Sequence, residues 1–446
     1  MSLDLILTKA KVVIHDSNAK SFHRIVEVDV GVANGKIAEI AAKINTPAKN
    51  TIPLAGLHLL PGVIDSQVHF REPGFTHKED LESGTRGALL GGVTSVFEMP
   101  NTVPSTTTKE LFIDKLNRAK NRCHTHYAFF IGGCAENAAQ LSELERMPHC
   151  SGIKIFMGSS TGSLLVEDDE TLEKILRSGK RRVIVHSEDE YRLRERKSIV
   201  IASKKVSEHH VWRDVETAVS STKRLLSLAK KTGRPVHVLH VTSADEMEIL
   251  RQHKNIATVE VLPQHLTLFA PDCYEQLGTY AQQNPPIREK HHHDGLWKAI
   301  ADGTVDVLGS DHAPHTKEEK DRDYPNTPSG MPGVQTLVPL MLNHVNQGRL
   351  SLERFVQLVS ENQRRVFGIK NKGRIEVGFD ADFTVVDLKK ETNITNKWIA
   401  SRCGWTPFDG MKVTGWPTMT ILKGQIAMRE DQILKPSSGE PVEFES

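Results

Sequence analysis

Between residues 61 and 312 the chain alternates short apolar runs with longer mixed stretches. The runs are PGVIDSQVHF (61–70), GVTSVFEMP (92–100), HYAFFIGG (126–133), GIKIFMG (152–158), RVIVHSE (182–188), PVHVLHVT (235–242), ATVEVLP (257–263) and VDVLGSDH (305–312). Each predicts a buried β-strand by its length and apolar character. Stretches such as DLESGTRGALLG, TKELFIDKLNRAKNR, DDETLEKILRSG, DVETAVSSTKRLLSLAKKTG and SADEMEILRQHK lie between them and read as helices. Eight strands, each followed by helical sequence, predict an α/β fold of the (β/α)8 TIM-barrel type. A doubly wound open sheet competes, but no G-x-G-x-x-G follows the first strand. Both ends of the chain are β-rich, with hairpin signals at Asn34-Gly35 and Lys423-Gly424. Together the termini predict one small β-sandwich domain, residues 1–55 with 372–446, beside a barrel of residues 56–371.

Composition narrows the function classes. The formal net charge is +1, with 38% hydrophobic and 25% charged residues in 446. This balance gives no electrostatic reason to expect nucleic acid or a membrane surface as partner. No apolar run is long enough for a transmembrane helix, and the first residues do not read as a signal peptide. The five Cys are scattered and odd in number, which suits a reducing cytoplasm and neither a disulfide framework nor a thiolate zinc site.

Residues with metal chemistry gather where the strands end. Residues two apart on a strand share a face, so Asp65, Gln67, His69 and Arg71 put a carboxylate, an amide, an imidazole and a guanidinium in a row. Lys154 sits in the fourth strand, and His186, His240 and Asp311 end the fifth, sixth and eighth. In a barrel the C-terminal strand ends build the active site. A lone His is more often structural, but five such residues at matching positions are costly unless they act together. By strand parity His240 shares a face with Val236 and Val238, and His237 points to the helix layer as a structural residue. A desolvated Lys154 would be a free amine able to add carbon dioxide, giving an anionic carbamate that could bridge two metal ions. Imidazole and carboxylate ligands suit zinc.

The motifs HFREPGFTHKED, MPNTVPST, KIFMGSSTG, HVLHVTSADE, NPPIRE, GSDHAPHTKEEK and SGMPGVQT occur in this order, followed by GRIEVGFDADFTVVDL and GWTPFDG. In these the chain resembles the dihydroorotases of the amidohydrolase superfamily, over most of its length. The resemblance implies reversible hydrolysis of the cyclic amide of dihydroorotate to N-carbamoyl-aspartate, with one or two zinc ions per chain. His69, carbamylated Lys154 and Asp311 would hold one ion; His186 and His240, with the same carbamate, the other. Asp311 would shuttle the proton. Arg71 and Asn101 match positions that grip the carboxylate of a small-molecule substrate, Asn284 and His315 match positions at the ring and the carboxylate, and the Pro332–Gly333 backbone matches a contact to the ring amide. A homodimer is implied as well. The bland alternative for Arg71 is a salt bridge to Glu72 or Glu98.

One ligand position departs from the pattern, since Gln67 stands where D-x-H-x-H would place a His. It resembles a subgroup carrying Gln at this place, and as a weak ligand it leaves room for a single-metal enzyme. Related dihydropyrimidinases, hydantoinases and allantoinases, or a silent scaffold subunit, are the competing readings. The segment GSSTGS after the fourth strand carries no acid to replace Lys154, and Glu167, Asp168 and Asp169 read as the acidic first turn of a helix. The long charged segment 313–330 reads as a lid or substrate-gripping loop. His291, His292 and His293 read as a solvated patch, and His265 stays unassigned.

Overall fold

The computed structural model describes residues 2–18, 23–158 and 164–445. The eight apolar runs form eight parallel strands: Val63–Val68, Val93–Glu98, His126–Gly132, Cys150–Phe156, Val183–His186, Val236–Val238, Ala257–Val261 and Val307–Leu308, each paired with the next. The ring closes where Val68 bridges His312, with the His69 amide donating to the His312 carbonyl at 2.7 Å. Side-chain caps start the intervening helices. Asp80, Asp168, Asp214 and Ser243 each accept from a backbone amide three residues on, ahead of Leu81–Leu90, Asp169–Arg177, Val215–Thr232 and Ala244–Arg251. Asp168 is thus a helix cap, as the acidic run predicted.

Strand residues alternate between two apolar clusters. Val63, Val96, Ile153, Ile155, Val183, Val236 and Val238 pack with the helix residues Leu81, Phe112, Leu172, Leu225 and Met247. Ile64, Phe97, Phe130, Ile184 and Leu239 fill the other side with Phe367, Val442 and Phe444. This corrects the parity reading of His237: Val236 and Val238 face the helix layer, and His237 points inward against Phe367 and Thr258. His240 reaches the mouth of the barrel by a backbone turn at φ 36°, after the strand has ended at Val238. The sixth and eighth strands are shorter than their apolar runs for this reason, Asp311 turning likewise at φ 45°.

The two ends of the chain build one nine-stranded, mainly antiparallel sheet. Leu5, Val12, Val30 and Val32 from the N-terminal strands share a core with Phe383, Val385, Met419 and Ile421 from the C-terminal ones. Both predicted hairpins have positive φ at their two central residues, Asn34-Gly35 at 52° and 74° and Lys423-Gly424 at 46° and 74°. That is the twist a two-residue antiparallel turn requires. The strand His58–Pro61 pairs within this sheet and runs on directly into the first barrel strand. Lys372, ion-paired with Asp380 and Asp382, and His126, beside Asp382, form the buried polar seam between sheet and barrel.

Candidate active site

A cleft opens at the C-terminal ends of the strands, lined by Gln67, His69, Arg71, Asn101, Lys154, His186, His240, Asn284 and Asp311 among others. Residues scattered over 245 positions therefore meet in one place. Asp65 fixes the floor: its carboxylate accepts from the amides of Ser310 and Gln67 at 3.0 and 3.1 Å and ties the first strand to the eighth. Three residues at the mouth have left-handed backbones, Arg71 (φ 64°), His240 and Asp311. Such conformations are costly for side chains with a Cβ and collect at working sites.

The imidazoles are held in defined tautomers. Glu188 accepts from His186 Nε2 at 2.8 Å, which leaves Nδ1 as a lone pair facing His240 Nε2 at 3.1 Å. Glu188 is in turn gripped through both carboxylate oxygens by buried Arg213. Burial acts to raise the Glu188 carboxyl, but Arg213 and His186 hold it well below the usual range. His69 Nδ1 lies 2.8 Å from Asn101 Oδ1, so Nε2 presents a lone pair to Asp311 Oδ1 at 3.1 Å. Burial lowers the His69 pKa, so the ring favours the neutral form. An imidazole lone pair against a carboxylate repels unless a cation lies between them.

Lys154 is buried, with no ion pair among the described residues, and its ammonium lies 4.4 Å from the Phe156 ring centroid. Burial lowers its pKa to about 7, opposed by Asp311 and Glu260. Its charge acts on His69, His186 and His240 alike. Neutral imidazoles with exposed lone pairs, a carboxylate and a buried amine are donors that suit a divalent cation. Among the described residues the donors stand as two pairs, His186 with His240 and His69 with Asp311, and no three His, Cys, Asp or Glu are drawn into one cluster.

Beside these donors lies a cationic arm. Arg71 is 6% exposed, and its Nε donates to the Pro314 carbonyl at 3.2 Å while Nη2 lies 3.2 Å from His315 Nε2. Burial lowers its pKa to about 10, so it stays charged at neutral pH. Neither predicted salt-bridge partner is available. Glu72 is engaged by Arg122 at 2.7 Å and Glu98 by Lys115 at 2.6 Å, so Arg71 has no carboxylate within ion-pair distance among the described residues. The segment after Asp311 turns over the cleft, which Ala313, Ser329 and Gly330 help to line. Its buried Lys320 ammonium donates to the Pro328 carbonyl at 2.9 Å and to the carbonyls of Gln282 and Gly330.

Most predicted residues thus converge, and the exceptions are informative. Asn284 lines the cleft and accepts at Oδ1 from His209, which also meets Tyr324 of the 313–330 segment. His315 stands behind Arg71. Pro332 and Gly333 line a separate cavity with His312 and Gly84, and the Gly333 amide donates to His312 Nδ1 at 3.1 Å. Residues 159–163, within GSSTGS and the end of KIFMGSSTG, lie outside the described residues. His292 and His293 are buried, contrary to the expected solvated patch: His292 accepts from the Ala244 amide and His293 Nε2 donates to the Leu266 carbonyl. Sequence reasoning did not find Gln283, whose amide donates to Asp311 Oδ2 at 3.1 Å, nor Glu188 and Arg213.

Residues 58–427 match the amidohydrolase family. The chain belongs to that family. As an amidohydrolase family member it falls among enzymes that are generally metal-dependent hydrolases. It is 36% identical to a dihydroorotase of Pyrococcus abyssi, over 94% of this chain and 95% of that protein. It is 34% identical to a dihydroorotase of Methanosarcina acetivorans, over 96% and 95% of the two chains. Among solved structures, the L-hydantoinase (dihydropyrimidinase) from Arthrobacter aurescens superposes with a TM-score of 0.93 at 30% identity, covering 99% of this chain and all of that one.

Proposed function

We propose that this amidohydrolase is a dihydroorotase, opening the cyclic amide of dihydroorotate to N-carbamoyl-aspartate and closing it in reverse. The observation that carries this reading is Arg71, a buried guanidinium in the cleft without a carboxylate partner among the described residues. A buried charge left unpaired is costly, and a planar substrate carboxylate would pair with it through two parallel hydrogen bonds. Dihydroorotate carries such a group. Hydantoin and dihydrouracil do not, which favours the dihydroorotase relatives over the hydantoinase neighbours as guides to substrate. Purified, metal-reconstituted protein is expected to open dihydroorotate and to turn over dihydrouracil, hydantoin and allantoin far more slowly. Turnover of the uncharged rings alone would overturn the substrate and leave the reaction class standing.

In this reading His186 and His240 would hold one zinc ion and His69 with Asp311 a second, Lys154 as a carbamate serving both. Bound there, zinc would polarise the scissile carbonyl and make the attacking water acidic enough to react near neutral pH. The protein's own work is separate. Arg71, backed by His315, and Asn101 orient the substrate carboxylate, Asp311 moves the proton, and the 313–330 segment excludes water. Five buried cysteines, none in a disulfide, support a cytoplasmic setting.

Gln67 bears on the number of ions. Its amide points its NH2 group at Asp311 Oδ1, 3.2 Å away, so it binds the carboxylate where an imidazole would offer a lone pair. Gln67→His is therefore expected to raise zinc content toward two per chain, read by elemental analysis of the dialysed protein. An unchanged ratio in a folded variant would show that Gln67 does not limit occupancy. A silent scaffold subunit would instead bind no metal in either form.

A further inference from the structure

Asp311 is approached from two sides by amides. Gln67 Nε2 donates to Oδ1 at 3.2 Å and Gln283 Nε2 donates to Oδ2 at 3.1 Å. Both glutamines are 1% exposed, both line the cleft, and each has its carbonyl oxygen buried without a hydrogen-bond partner among the described residues. The reverse amide orientation would set a carbonyl oxygen against a carboxylate, so the NH2 groups face Asp311 on electrostatic grounds. An ionised carboxylate offers about four acceptor positions. On Oδ1 one position is taken by Gln67 and the other faces the His69 Nε2 lone pair at 3.1 Å, where a bound cation would lie; on Oδ2 one is engaged by Gln283. One position is left, and it is on Oδ2.

We propose that Gln283 is a positioning residue of the reaction: with Gln67 it clamps Asp311 by both oxygens and leaves a single Oδ2 acceptor position for the migrating proton. A carboxylate held by one donor can swing about its last torsion, which is broad and roughly two-fold. Donors on opposite oxygens fix its plane. The step balances simply. Water oxygen bonds to the ring carbonyl carbon and its proton passes to Oδ2. The C–N bond breaks with its electron pair going to nitrogen, and nitrogen takes the proton from Oδ2, so the sum is ring plus one water.

This inference rests on the hydrolase reading, and its test separates the two. Wild type, Gln283→Met, Gln67→Met and the double variant are assayed in parallel on dihydroorotate and hydantoin, with zinc content measured on the same samples. Met keeps the length of the side chain and removes the donor. Gln283→Met is expected to lower kcat by about 10- to 100-fold while KM stays within about twofold. Its zinc content should match wild type. The double variant should lose less than the product of the single losses, because either loss already frees the carboxylate. Unchanged kcat, a rise in KM alone, strictly multiplicative losses, or zinc lost together with activity would each overturn the clamp. A wild type that opens neither ring would overturn the hydrolase reading and the clamp with it.

Discussion

Replacing Arg71 with Ala is expected to cost about 2–5 kcal/mol of transition-state binding for dihydroorotate, roughly 30- to 5,000-fold in kcat/KM and mostly in KM. The size follows from where the guanidinium sits. It is buried at the cleft, charged at neutral pH, and held by the Pro314 carbonyl and His315 rather than by an acid. The acids that could have neutralised it are committed elsewhere, Glu72 to Arg122 and Glu98 to Lys115. Its left-handed backbone stores strain that a surface salt bridge would not repay. Arg71→Lys should recover only part of the loss, since an ammonium cannot reproduce the bidentate geometry. Any residual turnover of uncharged rings should change much less. If Arg71→Ala keeps dihydroorotate turnover within about tenfold, the carboxylate is held by other groups and the substrate argument fails.

The features that chose this fold are local, and so they could be read along the chain. Apolar runs gave strands, and Asp80, Asp168, Asp214 and Ser243 mark helix starts because a cap depends on neighbours three residues away. The ligand-type residues stood out because polar groups at strand ends need a partner. What the sequence concealed depends on long-range geometry. Parity misplaced His237, because the clusters on the two sides of the strands are both apolar and the pattern carries no sign for inside and outside. The Arg213–Glu188 grip joins residues 25 apart across a helix and a strand end. Gln283 sits in an unremarkable QQN triplet, and only the folded chain brings it to Asp311. His292 and His293 looked solvated as part of a polar run, yet their helix turns them onto neighbouring segments.

Asp311→Asn is expected to lower kcat by about 10²- to 10⁴-fold, the range of a general acid–base residue, with KM for dihydroorotate little changed. The side chain keeps its size but loses its charge, with which it would hold zinc, and its ability to take and return a proton. Burial acts to raise the Asp311 carboxyl, but hydrogen bonding, the Gln283 amide included, holds it well below the usual carboxylate range. It is therefore ionised throughout neutral pH and available as an acceptor. A carboxylate so well stabilised is a weak base, so it can take a proton only from a water made acidic by its surroundings. The shape of the clamp sharpens the expectation. Asn offers one carbonyl oxygen to two amide donors, so either Gln67 or Gln283 must face its NH2 group and turn away. The loss should accordingly lie in kcat, since Arg71, Asn101 and His315 do not depend on which atom of residue 311 accepts. An Asp311→Asn enzyme that keeps kcat within about tenfold would mean that the proton travels by another route.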